Sequence, residues 1–265
     1  MTMIQTKYQE TVNYPPEFAV RLAQTAADVR QAQALRYSVF VEELGADGQL
    51  IDHDARLEMD CFDAHSEQLL LLDMARRDGD RVVGVYRLMD GGGATSAGQF
   101  YSQCEFDLTP LIGSERALLE LGRSCLHADY RGGTGMMHLW QGLAKIVRDR
   151  QIEILFGVAS FHGTDLEAMA PSLSFLHREH LAPSDICVRS NTHEAMDRGA
   201  VLDRVAAIKP VPALIKAYLR LGGFVGDGAF VDHAFNTTDV CVVLDLARMN
   251  PRQAALYRKR DDLDV

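Results

Sequence analysis

The chain has 265 residues, 47% hydrophobic and 24% charged, which is enough apolar material for a full core and an ordinary balance for a globular protein. Its formal net charge of −10 argues against nucleic acid as a partner, because such binding needs a basic surface. Five cysteines without paired spacing argue against a disulfide framework and for a reducing, cytoplasmic setting; no apolar run approaches the ~18 residues that span a bilayer, and the first 18 residues lack the apolar core of a signal peptide.

Residues 1–15 read as a loose arm ending at Pro15-Pro16. Phe18, Val20 and Leu22 alternate with Ala19 and Arg21, the period of a strand. Thr25 followed by Asp28 marks a helix N-terminus, and Gly45 marks its stop near Leu44. Val29, Ala32, Leu35 and Val39 form the apolar stripe of that helix, with Arg36 and Phe40 one turn apart beside it. The acidic stretch 47–63 holds Asp52, Asp54, Glu58, Asp60 and Asp63 but lacks the ligand alternation of a calcium loop. Residues 68–74 and 81–89 read as strands joined around Asp78-Gly79. Residues 91–98 read as a flexible glycine loop, and 100–111 as a short helix or ordered loop.

The central unit runs from 117 to 147. Leu118–Leu126 is an apolar run interrupted only by the charges of Glu120 and Arg123, the pattern of a buried strand that carries charge toward a cleft. Arg131, Gly132, Gly133, Thr134 and Gly135 turn the chain, and Trp140, Leu143, Ala144 and Val147 then recur at helical spacing. A glycine turn at a helix N-terminus offers unpartnered N–H groups to an anion. Lys145, Arg148 and Arg150, with Arg131, make a candidate basic patch or simply a solvated helix face. Residues 152–161 form a second buried strand, parallel to the first because a helix connects them. Residues 164–209 read as mostly helical, with an edge strand near 186–189. Residues 212–221 read as an amphipathic helix, and 224–234 and 238–246 as a closing antiparallel pair. The tail, 250–265, is of mixed charge. The order β-α-ββ-β-α-β-α-ββ points to one α/β domain with a mixed sheet over 1–265.

The strand, the turn and the helix resemble the central motif of the GNAT acyltransferase superfamily, whose turn reads R/Q-x-x-G-x-G/A. Arg131 fits, while Thr134 and Met136 stand where that pattern prefers glycine-like residues. The resemblance implies a mixed, mostly antiparallel sheet with a central splayed parallel pair flanked by helices. It also implies that the turn Arg131, Gly132, Gly133, Thr134, Gly135 and Met136 meets the phosphopantetheine of an acyl donor. Arg36, Phe40, Asp60, Asp63, Arg87, Glu120 and Arg123 follow the order seen in the acyl-homoserine lactone synthases, a branch of that superfamily, although the aromatic residue that branch carries after its first helix is absent.

A nearer likeness lies in ELGRSC (120–125), LWQG (139–142), FGVASFHG (156–163), LIKAYLRLGG (214–223) and VGDGAFVDHAFNTTDV (225–240). As a set these resemble the bacterial ornithine lipid N-acyltransferases, with a related branch that uses glutamine. The resemblance implies transfer of a 3-hydroxyacyl chain from acyl carrier protein to the α-amino group of ornithine or glutamine, giving a lyso-aminolipid for membrane lipid synthesis. The acyl-phosphopantetheine is then a co-substrate, no cofactor or metal is held permanently, and the enzyme is cytoplasmic with peripheral contact at the inner membrane.

The residues fit that chemistry. An amine must lose its proton before it attacks a thioester, and Glu120 on the central strand can take it directly or through a water, with Arg123 beside it. Asp60 or Asp63 can bind the substrate ammonium and Arg87 or Arg123 its carboxylate, with Arg36 and Phe40 completing the substrate-binding set. The bland alternatives are that Glu120 and Arg123 pair with each other or with Asp60 or Asp63, and that Arg36 and Phe40 only pack the helix. A lactone signal synthase and a non-catalytic acyl-binding protein on the same fold are the competing functions. His180 and Asp185 spell a glycerolipid-acyltransferase signature without the rest of its pattern. His177 and His180 lack companions for a metal, and Ser124 and Cys125 lack a nucleophile elbow. Gly226-Asp227-Gly228 reads as a turn.

Overall fold

A computed structural model describes residues 15–48, 51–199 and 203–249; the expected tail and nearly all of the expected N-terminal arm lie outside the described residues. Strand β1 (Phe18–Leu22) leads into helix α1 (Ala26–Arg36), which starts at the expected capping box. Thr25 accepts the Asp28 amide, the Asp28 carboxylate accepts the Thr25 amide, and Arg21 clamps that carboxylate at 2.8 and 2.9 Å. The helix does not stay α-helical to Leu44. Residues Tyr37–Glu43 widen into π-helical turns before Gly45, at φ +74°, ends them.

Strands β2 (Glu67–Asp73) and β3 (Val82–Asp90) follow as an antiparallel hairpin, with Gly79 at φ +86° in the turn. The glycine-rich segment 91–98 is not a flexible loop but helix α2 (Gly91–Ala97). Asp90 caps it through the Gly93 amide at 2.9 Å, Gly98 closes it at φ +88°, and Ala94 is buried against Met89 and Phe100. Two caps and a packed face outweigh the ~1 kcal/mol helix penalty of each glycine. Gly93 is there for space, since a Cβ would stand 2.4 Å from the His65 carbonyl oxygen.

The remaining elements are β4 (Phe106–Asp107), α3 (Thr109–Ile112), β5 (Leu118–Leu126), α4 (Gly135–Asp149), β6 (Ile154–His162), α5 (Leu166–His180), β7 (Arg189–Ser190), α6 (Arg204–Ile208), α7 (Ala213–Arg220), β8 (Phe224–Val225), β9 (Phe230–Asp232) and β10 (Thr237–Asp245). The main sheet runs β1-β2-β3-β5-β6-β10-β8, with β9 also on β10. Every neighbour pair is antiparallel except β5–β6. Two expectations shift in detail. The edge strand near 186–189 is the short β7, which pairs with β4 in a separate ribbon. The strand expected over 224–234 breaks into β8 and β9, because Gly226 lies too close to Val188 for any side chain and Gly228 turns at φ +82°.

Strand alternation builds the layers. Leu69 and Leu71 face a core with Leu139, Trp140, Leu143, Ile215 and Tyr218 of α4 and α7. Leu70 and Leu72, one residue out of phase, pack with Ala32 and Leu35 of α1 on the other side.

Two irregularities prepare the site. Strands β5 and β6 each have nine residues, yet they pair only at Leu118–Ile154, Leu119–Leu155 and Glu120–Phe156, and then splay. On its other edge β5 is bulged: Val85 faces Cys125 and Arg87 faces Gly122, so Arg123 and Ser124 together oppose Tyr86, with Arg123 at φ +51°. A bulge re-aims side chains and bends its strand. The splay starts where Gly157 abuts β5, since a Cβ there would lie 2.1 Å from the Leu121 carbonyl oxygen. Gly157→Ala is therefore expected to cost about 1–3 kcal/mol in chemical denaturation, because one of two backbones must move. An unchanged midpoint would show that β6 shifts freely at this point.

Candidate active site

The splay opens a cavity of about 230 Å³. Glu120, Gly122, Arg123 and Ser124 of β5 line one wall and Gly157, Ser160 and His162 of β6 another; Tyr86 and Arg87 of β3, and Asp232 and Asp239, are also among its lining residues.

Glu120 is buried at 4% exposure, yet it lies on the cavity wall. It does not pair with Arg123. Its oxygens accept the backbone N–H groups of Tyr101 at 2.9 Å and Ser102 at 2.6 Å. Burial pushes its carboxyl above the ordinary 4.5, while those amides pull the other way. The result is a carboxylate fixed in orientation and more basic than one in water.

Arg123 belongs to a different unit. It donates to Glu58 at 3.1 Å and to Asp60 at 2.9 Å. Arg87 meets Asp60 at 2.6 Å and Asp63 at 3.1 Å, and Arg36 meets Glu58 at 2.5 Å and Asp63 at 2.8 Å. Three guanidiniums and three carboxylates thus close a neutral ring linking α1, the acidic loop, β3 and β5. Burial opposes the charges of Asp60 and Asp63, but Arg87 and Arg123 beside the first and Arg36 beside the second hold both carboxyls below their usual range. The Tyr101 ring lies under Arg123 at 4.7 Å and under Arg87 at 5.2 Å.

Only Arg87 and Arg123 of this ring reach the cavity wall; Arg36, Asp60 and Asp63 stand behind it, and Phe40 lines it from the π-helical segment. One donor of these two arginines, Nη2 of Arg87, is buried without a partner among the described residues and lies beside Gly122 on the wall.

A second cavity of about 280 Å³ adjoins the first, sharing Leu155 and Tyr218. Trp140, Leu143, Val147, Leu221 and Leu244 make it almost wholly apolar. Between the two, Trp140 Nε1 donates to the Tyr86 hydroxyl, which meets the Tyr218 hydroxyl, each at 3.3 Å.

The glycine turn lies outside both cavities. Arg131 is tied to the Leu126 carbonyl at 3.0 Å and to Glu43 at 2.7 Å, Gly132 sits at φ +74°, and Thr134 gives α4 no side-chain cap. The expected basic patch is largely neutralised, since Lys145 pairs with Asp149 and Arg150 with Glu67.

The segment from residue 35 to 141 matches the family model described as the acetyltransferase (GNAT) domain. The chain is 52% identical to the L-ornithine N(alpha)-acyltransferase of Rhodobacter capsulatus over 93% of its own length and 96% of that protein. It is 41% identical to the enzyme of the same name from Brucella abortus, over 90% and 88%. The chain belongs to the L-ornithine N(alpha)-acyltransferase family. It is an acyltransferase on the GNAT fold. Among solved structures it is similar to FeeM, an N-acyl amino acid synthase from uncultured soil microbes (TM-score 0.52, 11% identity, 88% of this chain and 93% of that one). It is also similar to BjaI, a CoA-dependent acyl-homoserine lactone synthase (TM-score 0.50, 16% identity, 92% and 89%). At these identities the likeness concerns the fold alone.

Several discounted signals resolve into packing. Asp185 pairs with Arg248 at 2.6 Å while His180 packs on Phe175, so the two do not form one site. His177 meets Asp227 at 3.4 Å. Burial pushes the Cys125 thiol up to about 12, far from a reactive thiolate. Two features of this family member escape the sequence reading. Glu58 joins Arg36 to Arg123, and only its spacing from Asp60 and Asp63 in the acidic loop hinted at a role. Glu105, more than a hundred residues before Asp232 and Asp239, joins them with carboxylate oxygens within 4.8 Å of one another.

Proposed function

We propose that this acyltransferase moves a 3-hydroxyacyl chain from the phosphopantetheine thioester of acyl carrier protein to the α-amino group of ornithine, giving a lyso-aminolipid. The observation that carries the reading is Glu120: an oriented, basic carboxylate on the wall of the splay, with the Arg87 donor on the same wall, in a chain of this family. Arg87, with Arg123 beside it, receives the α-carboxylate and so sets the amine near Glu120. Asp60 and Asp63, engaged by arginines, orient those donors rather than touching the amine.

Glu120 takes a proton from the substrate ammonium, directly or through a water. The amine nitrogen then attacks the thioester carbonyl carbon, and an N–H of β5 beyond Glu120 meets the developing oxyanion. The C–S bond breaks, the sulfur leaves as the phosphopantetheine thiol with the amine's second proton, and the amide remains. The apolar second cavity suits the acyl chain, and the uncapped start of α4 with the turn 131–136 suits the single phosphodiester of the prosthetic arm. The scheme needs no resident cofactor. The amphiphilic product goes with transient contact at the inner membrane surface; among the described residues no helix is long and apolar enough to cross a membrane.

The test is to offer purified protein 3-hydroxyacyl carrier protein or the matching CoA thioester, with ornithine, glutamine or S-adenosylmethionine, and to identify products by mass spectrometry. N-acylornithine formed from the carrier protein is expected. A product formed equally from CoA would remove the carrier protein from the scheme, one formed from glutamine would change the amino acid, and a lactone formed with S-adenosylmethionine would move the chain to signal synthesis.

A further inference from the structure

We infer that Glu105, Asp232 and Asp239 form the subsite that holds the side-chain ammonium of the amino-acid substrate and so select a diamino acid over a neutral one. The inference rests on the acyl transfer to an amino acid proposed above and names the specificity element of the same cavity.

Asp232 ends β9 and Asp239 lies in β10; both line the cavity, while Glu105, before β4, sits just behind them. Their carboxylate oxygens gather within 4.8 Å. Glu105 and Asp239 are each only 3% exposed. Their bonding is incomplete: Asp232 Oδ1 accepts the amides of Ala234 at 2.8 Å and Phe235 at 3.0 Å, and Asp239 Oδ2 accepts the Thr237 hydroxyl at 3.3 Å. Glu105 Oε2 and Asp239 Oδ1, by contrast, are buried without an N–H or hydroxyl donor among the described residues, and the two carboxyl groups lie within hydrogen-bonding reach of each other. None of the three forms an ion pair among the described residues. The nearby arginines Arg87 and Arg123 are already matched by Glu58, Asp60 and Asp63.

Buried acceptors left open are costly, and a cluster of them beside a cavity calls for a donor that arrives with the ligand. Burial, with the Asp232 charge beside both, pushes the Glu105 and Asp239 carboxyls above their usual range, so that in the free protein the pair can share a proton, whose place a substrate ammonium would take. A side-chain ammonium has three N–H donors, one for each carboxylate. The same cavity has arginine donors on another wall, so its two polar ends match a substrate with a carboxylate at one end and a second ammonium at the other.

The experiment compares kcat/KM for ornithine and for norvaline, the same skeleton without the terminal amine, in the wild type and in Asp239→Asn, Glu105→Gln and Asp232→Asn. Asp232 is half-buried, so its variant stays informative if the buried ones fail to fold. The wild type is expected to prefer ornithine by at least ~100-fold, as sites built to hydrogen-bond a polar group reject analogues lacking it. Each folded variant is expected to cut that preference by roughly tenfold or more, mainly through the KM for ornithine. Equal losses with both substrates, an unchanged ornithine KM, or a stoichiometric divalent cation in the purified protein whose removal abolishes activity would overturn the inference. If the wild type acylates no amino acid, the proposed reaction falls, and calorimetry with ornithine alone decides the subsite: binding weakened in Asp232→Asn supports it, and absence of binding to the wild type overturns it.

Discussion

Replacing Glu120 with glutamine is expected to lower kcat/KM for acyl transfer by roughly 10²–10⁴-fold while the protein stays folded. Glutamine keeps the volume of the side chain, and its amide oxygen can still accept one of the two N–H groups from Tyr101 and Ser102 that hold the carboxylate. What it loses is the ability to take a proton. The pH profile separates this loss from mispositioning. A base works only when deprotonated, and burial raises the Glu120 carboxyl above the ordinary 4.5. Wild-type kcat/KM should therefore fall as pH drops through that raised value, and this acid limb should vanish in Glu120→Gln. A variant with wild-type kcat/KM, or one that keeps the same acid limb, would assign proton removal to another group.

Arg36→Met is expected to have the largest effect on stability. Arg36 is wholly buried and is bonded to Glu58 at 2.5 Å and Asp63 at 2.8 Å. Removing it leaves two buried carboxylates short of their countercharge, and breaking a buried pair typically costs about 3–5 kcal/mol. For a chain of this size that is a fall in Tm of roughly 10 °C. The exposed pair Arg56–Glu42 serves as the control, and its removal should cost within ~1 kcal/mol. Because Glu58 and Asp63 also hold Arg123 and Arg87, the variant should raise the KM for the amino acid even below its melting point. Equal melting of Arg36→Met and wild type would mean that the ring reorganises without it, and its role in placing the cavity arginines would lapse.

Local patterns are readable where local physics is strong. The capping box at Thr25, the hairpin at Gly79 and the parallel pair around α4 all depend on neighbours in sequence. The glycine-rich segment 91–98 has the composition of a loop, and what makes it a helix is the Asp90 cap and the burial of Ala94. The π-helical turns at 37–43 carry no composition signal of their own.

The site divides the same way. The amino-acid order alone determined that Glu120 and Arg123 sit on a buried central strand, because charges in an apolar run survive burial only beside a cleft or a partner. It also determined the family, through motifs spread along most of the chain. Only the tertiary structure decided what those charges do. Three residues apart on a regular strand, Glu120 and Arg123 would face opposite sides, but the bulge at Arg123 changes the count, and the strand delivers one to the backbone amides of Tyr101 and Ser102 and the other to Glu58 and Asp60. Likewise Glu105, Asp232 and Asp239 are unremarkable in the linear chain. Asp232 and Asp239 meet through the local pairing of β9 and β10, but Glu105 joins them only because the segment before β4 lies beside that pair, and a long-range juxtaposition of this kind leaves no spacing for a sequence to show.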